Sequence, residues 1–244
     1  MTLPLDPSSP EPIRLSRHVA ELARCSRAEA EQYIQGGWVT VDGAVVEEPQ
    51  TMIAAQLVEI APNAQLTATE PATTLLHKPA GVDFEATQAL VTPQTRTEGD
   101  LTGIRTLQRH FHRLTPLMPL DADASGLVVL SQDGRVGRRL TEDFDSIEQE
   151  FVIEIGGTIG PYTLSRLSRG LSYNGRVLPP CKVSWQNEVR LRFAIKAVAP
   201  GQLRDMCAQV GLDVVAIKRL RIGRVSLGKM PAGQWRYLPV NDRF

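Results

Sequence analysis

Apolar positions at the start of the chain recur with helical spacing. Leu15, Val19, Leu22 and Ala23 form one stripe, and Ala30, Tyr33 and Ile34 form a second. Between them stands Ser26 with Glu29 three residues on, a pairing in which hydroxyl and carboxylate each serve an orphan backbone N–H. A second helix therefore opens at Cys25-Ser26, and Gly36-Gly37 stops it. Trp38 to Val41 and Ala44 to Val46 read as two strands around Asp42-Gly43, a pair that accepts the positive φ angles of a tight hairpin. Residues 13–60 are thus a helix, helix, hairpin unit. From Ala61 to Thr73 the chain turns to Pro, Asn, Ala, Gln and Thr without a period, as a linker does. Beyond it, 74–244 mixes strand candidates (Leu75-Leu76, Leu127 to Leu130, Phe151 to Ile155, Val183 to Trp185, Val189 to Ala197, Val214 to Ile217) with helical stretches near 135–142, 160–169 and 202–210. Strands and helices do not alternate regularly and no repeat recurs, so the fold class is α+β.

Composition narrows the setting. A chain of 244 residues with 42% hydrophobic and 22% charged residues has the balance of a globular protein able to bury a core. Its apolar runs fall short of a membrane span, and Met1 to Pro12, rich in proline and serine, reads as a disordered tail rather than a secretory signal. Cys25, Cys181 and Cys207 are odd in number and scattered, which fits neither a disulfide framework nor a zinc site and points to a reducing cytoplasm. The formal net charge of zero argues against a nucleic-acid partner, but its distribution argues for one: from Arg176 to Arg236 twelve basic residues face three acidic ones.

Three stretches carry candidate chemistry. Lys78-Pro79-Ala80-Gly81-Val82 follows the strand at Leu75-Leu76 and has the make-up of a turn. Leu120-Asp121-Ala122-Asp123-Ala124-Ser125-Gly126-Leu127 runs from an acidic, small-residue loop into an apolar strand, a layout that holds one carboxylate at the rim of a core. Gln202-Leu203-Arg204 opens a helix. In the first unit, Arg17, Arg24 and Arg27 near a helix start suit a phosphate backbone. On charge alone they are also a solvated face, since Glu21, Glu29, Glu31, Glu47 and Glu48 outweigh them.

The order from Ile13-Arg14-Leu15-Ser16-Arg17 through Cys25-Ser26-Arg27 to Val39-Thr40-Val41-Asp42-Gly43 resembles the alpha-L RNA-binding fold. The remainder, through Leu120-Asp121, Ile147-Glu148-Gln149-Glu150-Phe151, Gln202-Leu203-Arg204 and Ile217-Lys218-Arg219-Leu220-Arg221-Ile222-Gly223, resembles the RNA pseudouridine synthases of the RsuA/RluF branch. The resemblance implies a small RNA-binding domain at 13–60 and a mixed, mainly antiparallel-sheet catalytic domain at 74–244. It makes Asp121 the catalytic carboxylate, Phe151 the ring that packs on the flipped base, and Arg204, beside Gln202, the cation paired with Asp121. Arg17, Arg24, Ser26 and Arg27 of the first domain, and Lys218, Arg219 and Arg221 of the second, would contact RNA.

The implied activity is conversion of a uridine to pseudouridine in structured RNA, large-subunit ribosomal RNA ahead of transfer RNA. The enzyme would be a monomer, free of cofactor, metal and membrane. Three positions depart from the family pattern: Met118-Pro119 stand where Gly-Arg is usual, Phe151 where tyrosine is usual, and Gly201 where an arginine precedes the glutamine. They motivate a second reading, a catalytically silent RNA-binding or ribosome-assembly protein on the same scaffold. A third is a hydrolase using Asp121 with Asp123 as an acid/base pair.

Overall fold

The computed structural model describes residues 11–66, 70–157, 159–169 and 171–244; the expected tail at 1–12 lies almost wholly outside them, as do 67–69 of the expected linker. The chain divides into two compact units. One runs through Glu70 and takes in Arg105–Arg109; the other comprises Pro71–Ile104 and His110–Phe244. The inclusion of 105–109 in the first unit departs from the sequence reading, which gave all of 74–244 to the second. Its cause is local: the Arg105 guanidinium stacks 4.4 Å over the Trp38 ring, and Gln108 N–H donates to Glu47 Oε1 at 2.9 Å.

In the first unit, β1 (Ile13–Arg14) leads into α1 (Leu15–Ala23), which packs on α2 (Arg27–Gln35). The capping box forms: Ser26 Oγ accepts from Glu29 N–H at 3.3 Å and Glu29 Oε2 from Ser26 N–H at 2.8 Å. The hairpin of β2 (Val39–Val41) and β3 (Ala44–Val45) turns at Asp42 and Gly43, with φ of 51° and 80°. Three strands add to the sequence reading: β1 with its partner β4 (Met52–Ile53), and β5 (Val58–Ile60), which pairs with β2. Strands this short carry too little alternation to be read from pattern. Leu15, Val19, Ala30, Ile34, Val39, Ile53 and Val58 close the core.

The second unit is built on a nine-stranded sheet. Its strands are β6 (Thr73–Lys78), β7 (Thr115–Leu117), β8 (Ser125–Ser131), β9 (Glu148–Gly156), β12 (Lys182–Asn187), β13 (Arg190–Lys196), β14 (Asp213–Ile222), β15 (Val225–Ser226) and β16 (Trp235–Tyr237). A separate ribbon joins β10 (Ser172–Tyr173) to β11 (Arg176–Val177). The main path is β12-β13-β9-β14-β8-β6-β16, with β15 on β14 and β7 on β8. Every pair in it is antiparallel except β14 with β8.

The centre of the sheet is covered on both sides, which explains the unbroken apolar run Leu127 to Leu130. Leu76, Val128 and Leu130 join a core with Phe151, Leu167 of α4 (Thr163–Ser168) and Leu203 and Met206 of α5 (Gln202–Ala208). Leu75, Leu127 and Val129 join another with Ile222 and Leu140 of α3 (Gly134–Thr141). Among the described residues no helix is long and apolar enough to cross a membrane.

The parallel contact of β14 with β8 is short, pairing Lys218 with Ser125 and Arg219 with Gly126, and it is tight. Gly126 has φ +118°, and a Cβ there would stand 2.3 Å from the Arg219 carbonyl oxygen. Only glycine fits. Gly126→Ala is expected to destabilise the protein by about 3 kcal/mol or more, lowering the urea midpoint. A midpoint equal to that of the unsubstituted protein would contradict this close approach.

Candidate active site

The loop from Met118 to Ala124 connects β7 to β8 and presents two carboxylates. It has almost no regular backbone pairing of its own, so its carbonyls need other donors. Two buried cations supply them.

Arg219, on β14, is 0% exposed. Its Nη2 donates to Met118 O at 2.9 Å, Nη1 to Pro119 O and Gln149 Oε1 at 3.1 Å each, and Nε to Leu127 O at 2.7 Å. Burial pushes its guanidinium down to about 9, against the pull of Asp121, so it stays charged at neutral pH. Lys78, at the end of β6, is equally inaccessible. Its Nζ donates to Ala124 O at 2.7 Å, Ala122 O at 2.8 Å and Pro79 O at 3.1 Å. Burial lowers its pKa, while Asp123, Asp83 and Asp121 raise it. Gly81 N–H adds a bond to Ala122 O at 2.8 Å, and Ala124 N–H closes a turn on Asp121 O at 3.1 Å.

Within this clamp Asp121 is half-buried, and both its carboxylate oxygens accept from one backbone donor, Gly201 N–H, at 3.1 Å each. Gly201 stands just before α5 with φ +77°, a left-handed conformation that suits glycine, and a Cβ there would lie 3.0 Å from the Tyr173 hydroxyl. The sequence reading counted Gly201 as a lost arginine. The structure makes it the hydrogen-bond donor to Asp121.

Several expected placements need correction. Arg204 does not pair with Asp121: its Nη2 contacts Asp123 Oδ2 and its Nη1 donates to Val214 O at 3.3 Å. The turn at 121–124 aims the two carboxylates differently, and the more exposed one meets the guanidinium. Gln202 is 3% exposed, with its Oε1 accepting from Ala199 N–H at 3.1 Å and its Nε2 near Met206 Sδ at 3.9 Å. Its amide is thus engaged in holding the turn before α5 rather than facing a ligand. Phe151 is 2% exposed on β9, in register with Arg219, so in this state it is a core residue beneath the site.

The expected basic groove on β14 is also altered. Arg219 is buried, as described. Arg221 Nη2 binds Glu148 Oε1 at 2.7 Å and its Nε binds Glu150 Oε2 at 3.3 Å, and these carboxylates push its pKa up. Arg190 and Arg192 pair with Glu154 and Glu150 at 2.8 and 2.6 Å. Counting charges along 176–236 missed this because β9, from outside that window, lies between β13 and β14 and brings its glutamates to them. Lys218 is half-buried beside Ser125.

In the first unit Arg24 is exposed in a left-handed conformation, φ 51°, at the end of α1. Arg17 and Arg27 are exposed and paired with Glu21 and Glu31 one turn along, at 3.1 and 3.2 Å. Exposed pairs of this kind are weak and exchange readily. The Ser26 hydroxyl, offered as an RNA contact, instead caps α2, as the Ser26–Glu29 pairing predicts, so it is engaged within the helix.

Lys78 is the residue the sequence reading undervalued, as part of a turn. Its signal was a lysine ending the buried strand Thr73–Lys78, which needs buried acceptors. Cys207, near Arg204, is buried with its thiol pushed up to about 12, so it is no nucleophile at neutral pH. Among the described residues no cluster of three or more His, Cys, Asp or Glu could hold a metal. The site therefore offers a carboxylate with one backbone donor, set in a rigid loop, and a second carboxylate tied to an arginine.

No family model matches the chain. Individual proteins do. It is 28% identical over 234 residues to the dual-specificity RNA pseudouridine synthase RluF of Escherichia coli (strain K12), covering 94% of this chain and 77% of that protein. With the RluF of Salmonella typhi the identity is 27% over 233 residues, covering 94% and 76%. An uncharacterized RNA pseudouridine synthase of Aquifex aeolicus (strain VF5) is 24% identical over 237 residues, covering 94% of each chain. A crystal structure of a pseudouridylate synthase superimposes with a TM-score of 0.58 at 20% identity, covering 93% of this chain and 96% of that one, a likeness of fold.

Lys78→Met removes the donor to Ala122 and Ala124 while keeping a comparable volume. It is expected to cost about 2–4 kcal/mol of unfolding free energy in urea. A change within about 0.5 kcal/mol would show that the lysine does not hold the loop.

Proposed function

We infer that the chain belongs to the RNA pseudouridine synthases, in the RluF branch of the RsuA family, and is an enzyme that isomerises uridine to pseudouridine in RNA. The reaction breaks the bond from uracil N1 to ribose C1′, turns the base, and joins C5 to C1′. The proton on C5 leaves and N1 gains one, so the product is an isomer and no redox partner is needed. One carboxylate suffices, either attacking C1′ or removing a ribose proton to give a glycal.

We propose Asp121 for that role. The observation that carries this reading is the state of its carboxylate: half-buried and, among the described residues, hydrogen-bonded to Gly201 N–H, in a loop held by Lys78 and Arg219. A nucleophile or base needs lone pairs left open on one side, and this one has them. Phe151 lies beneath in register with Arg219, and its ring would serve a flipped base once RNA opens the site.

The substrate proposed is structured RNA, large-subunit ribosomal RNA before transfer RNA. Exposed Arg17, Arg24 and Arg27 of the first unit would grip the phosphate backbone without reading sequence, and Lys218 would add a contact in the second. A monomer in the cytoplasm, without cofactor, fits this reading. The acid/base hydrolase loses support because the Asp123 carboxylate is tied to Arg204.

The test is release of tritium from RNA labelled at uracil C5. Asp121→Asn should reduce single-turnover release by at least about 10³-fold while RNA affinity changes by less than about threefold. Release at an undiminished rate would remove Asp121 from the chemistry. Tight binding without release by the unsubstituted protein would favour a silent RNA-binding factor.

A further inference from the structure

We propose that Tyr173 is a positioning residue for the Asp121 carboxylate, acting through the peptide that joins Pro200 to Gly201. The proposal rests on the reading that Asp121 performs the chemistry. Tyr173 Oη donates to Pro200 O at 2.6 Å, and Gly201 N–H donates to both Asp121 oxygens at 3.1 Å. That carbonyl and that N–H are the two ends of one planar trans peptide, so they point in opposite directions. The hydroxyl and the carboxylate therefore hold the same rigid plane from its two sides.

This plane is one that can turn over. Gln202 N–H closes a β-turn on Ala199 O at 3.2 Å, with Pro200 and Gly201 at its centre. Gly201 has φ +77° and ψ −16°, the values of a type II turn. Type I and type II turns differ chiefly in the orientation of the central peptide, by roughly half a rotation. Proline fits the second position of either type and glycine fits the third, so the residues of the turn do not by themselves exclude the flip. In the flipped form Gly201 N–H would face away from Asp121. The Tyr173 hydroxyl opposes that flip by engaging the carbonyl, and a bond at the carbonyl end also polarises the peptide and strengthens its N–H as a donor.

The hydroxyl is itself firmly placed. Tyr173 ends β10, and Asn174 and Gly175 after it take φ of 50° and 74°, the positive angles of a two-residue type I′ hairpin, with Tyr173 paired to Arg176. At the far end of α5, Gln209 Nε2 donates to Ser172 O at 2.7 Å. The hairpin is thus bonded to both ends of the helix whose start carries the donor to Asp121. Tyr173 is half-buried, so water partly replaces a lost bond and the effect of removing it is modest beside that of removing the carboxylate.

The prediction is read in single-turnover tritium release and RNA binding by the full chain. Tyr173→Phe, which keeps the ring and removes the hydroxyl, should slow release about 5–20-fold with RNA affinity within about threefold of the unsubstituted protein. Placing 4-aminophenylalanine at the same position returns a donor to the end of the ring and should recover the rate to within about threefold. In the RNA-free protein the NMR signal of Gly201 N–H should move upfield in Tyr173→Phe, as it should in Asp121→Asn, because each loses one of the two bonds on that peptide. An unchanged rate, a loss in RNA affinity instead of rate, a slow variant that the amine does not rescue, or a Gly201 signal that stays in place would overturn the proposal. Asp121→Asn run alongside separates the two readings. Its full activity would sink the parent assignment, whereas an inactive Asp121→Asn protein beside a fully active Tyr173→Phe protein would sink this inference alone.

Discussion

A guanidinium with no access to water sits at the seam where β14 meets β8, and the site depends on it. Removing Arg219 from solvent carries a penalty of several kcal/mol, offset by three backbone carbonyls and the Gln149 side chain. Two of those carbonyls, of Met118 and Pro119, belong to the loop that carries Asp121. Met118 adopts a left-handed φ of 58°, unfavourable for a side chain with a Cβ, and its carbonyl is held by Arg219 in that conformation. Charge at the centre of the sheet therefore fixes the shape of a loop at its edge. Gly126 is part of the same device, since it lets β14 come close enough for the arginine to reach.

Lys78 completes the support from the neighbouring strand. Between them the two cations satisfy carbonyls on both sides of Asp121 and leave its carboxylate to a lighter touch, the Gly201 N–H. The arrangement separates two requirements that would conflict in a reacting carboxylate: its backbone is held, yet among the described residues its oxygens take part in no salt bridge. Preorganisation of this kind lowers the cost of reaching a reactive geometry. Elsewhere the basic residues of the β13–β14 region are largely matched by Glu148, Glu150 and Glu154 of β9. On the proposed function, RNA affinity would then draw on the exposed arginines of the first unit.

Much of the fold was legible along the chain. The capping box at Ser26 and Glu29, the Asp42-Gly43 turn and the apolar run at 127–130 are local signals, and each element stands where its signal lay. Short strands such as β4 and β5 were not legible, because they exist only by pairing with distant partners. At the candidate site, the loop carrying Asp121 could be picked out, but the partners of its groups could not. That Arg204 meets Asp123, that Arg219 turns inward, and that Gly201 contributes a backbone donor all depend on strand order and on one helix start. Alternation along β14 predicted that some of its residues face the core, and it gave no reason for an arginine to be among them; that reason is the unsatisfied carbonyls of another loop.

The central claim is that the Asp121 carboxylate faces an extruded nucleoside. It is tested most directly by a crystal structure of the protein bound to a short RNA carrying 5-fluorouridine at its target position. The account predicts that nucleotide swung out of its helix with ribose C1′ against an Asp121 oxygen and Lys78 and Arg219 still gripping the loop. A target base left stacked in the RNA, or its ribose set against a different side chain, would contradict it.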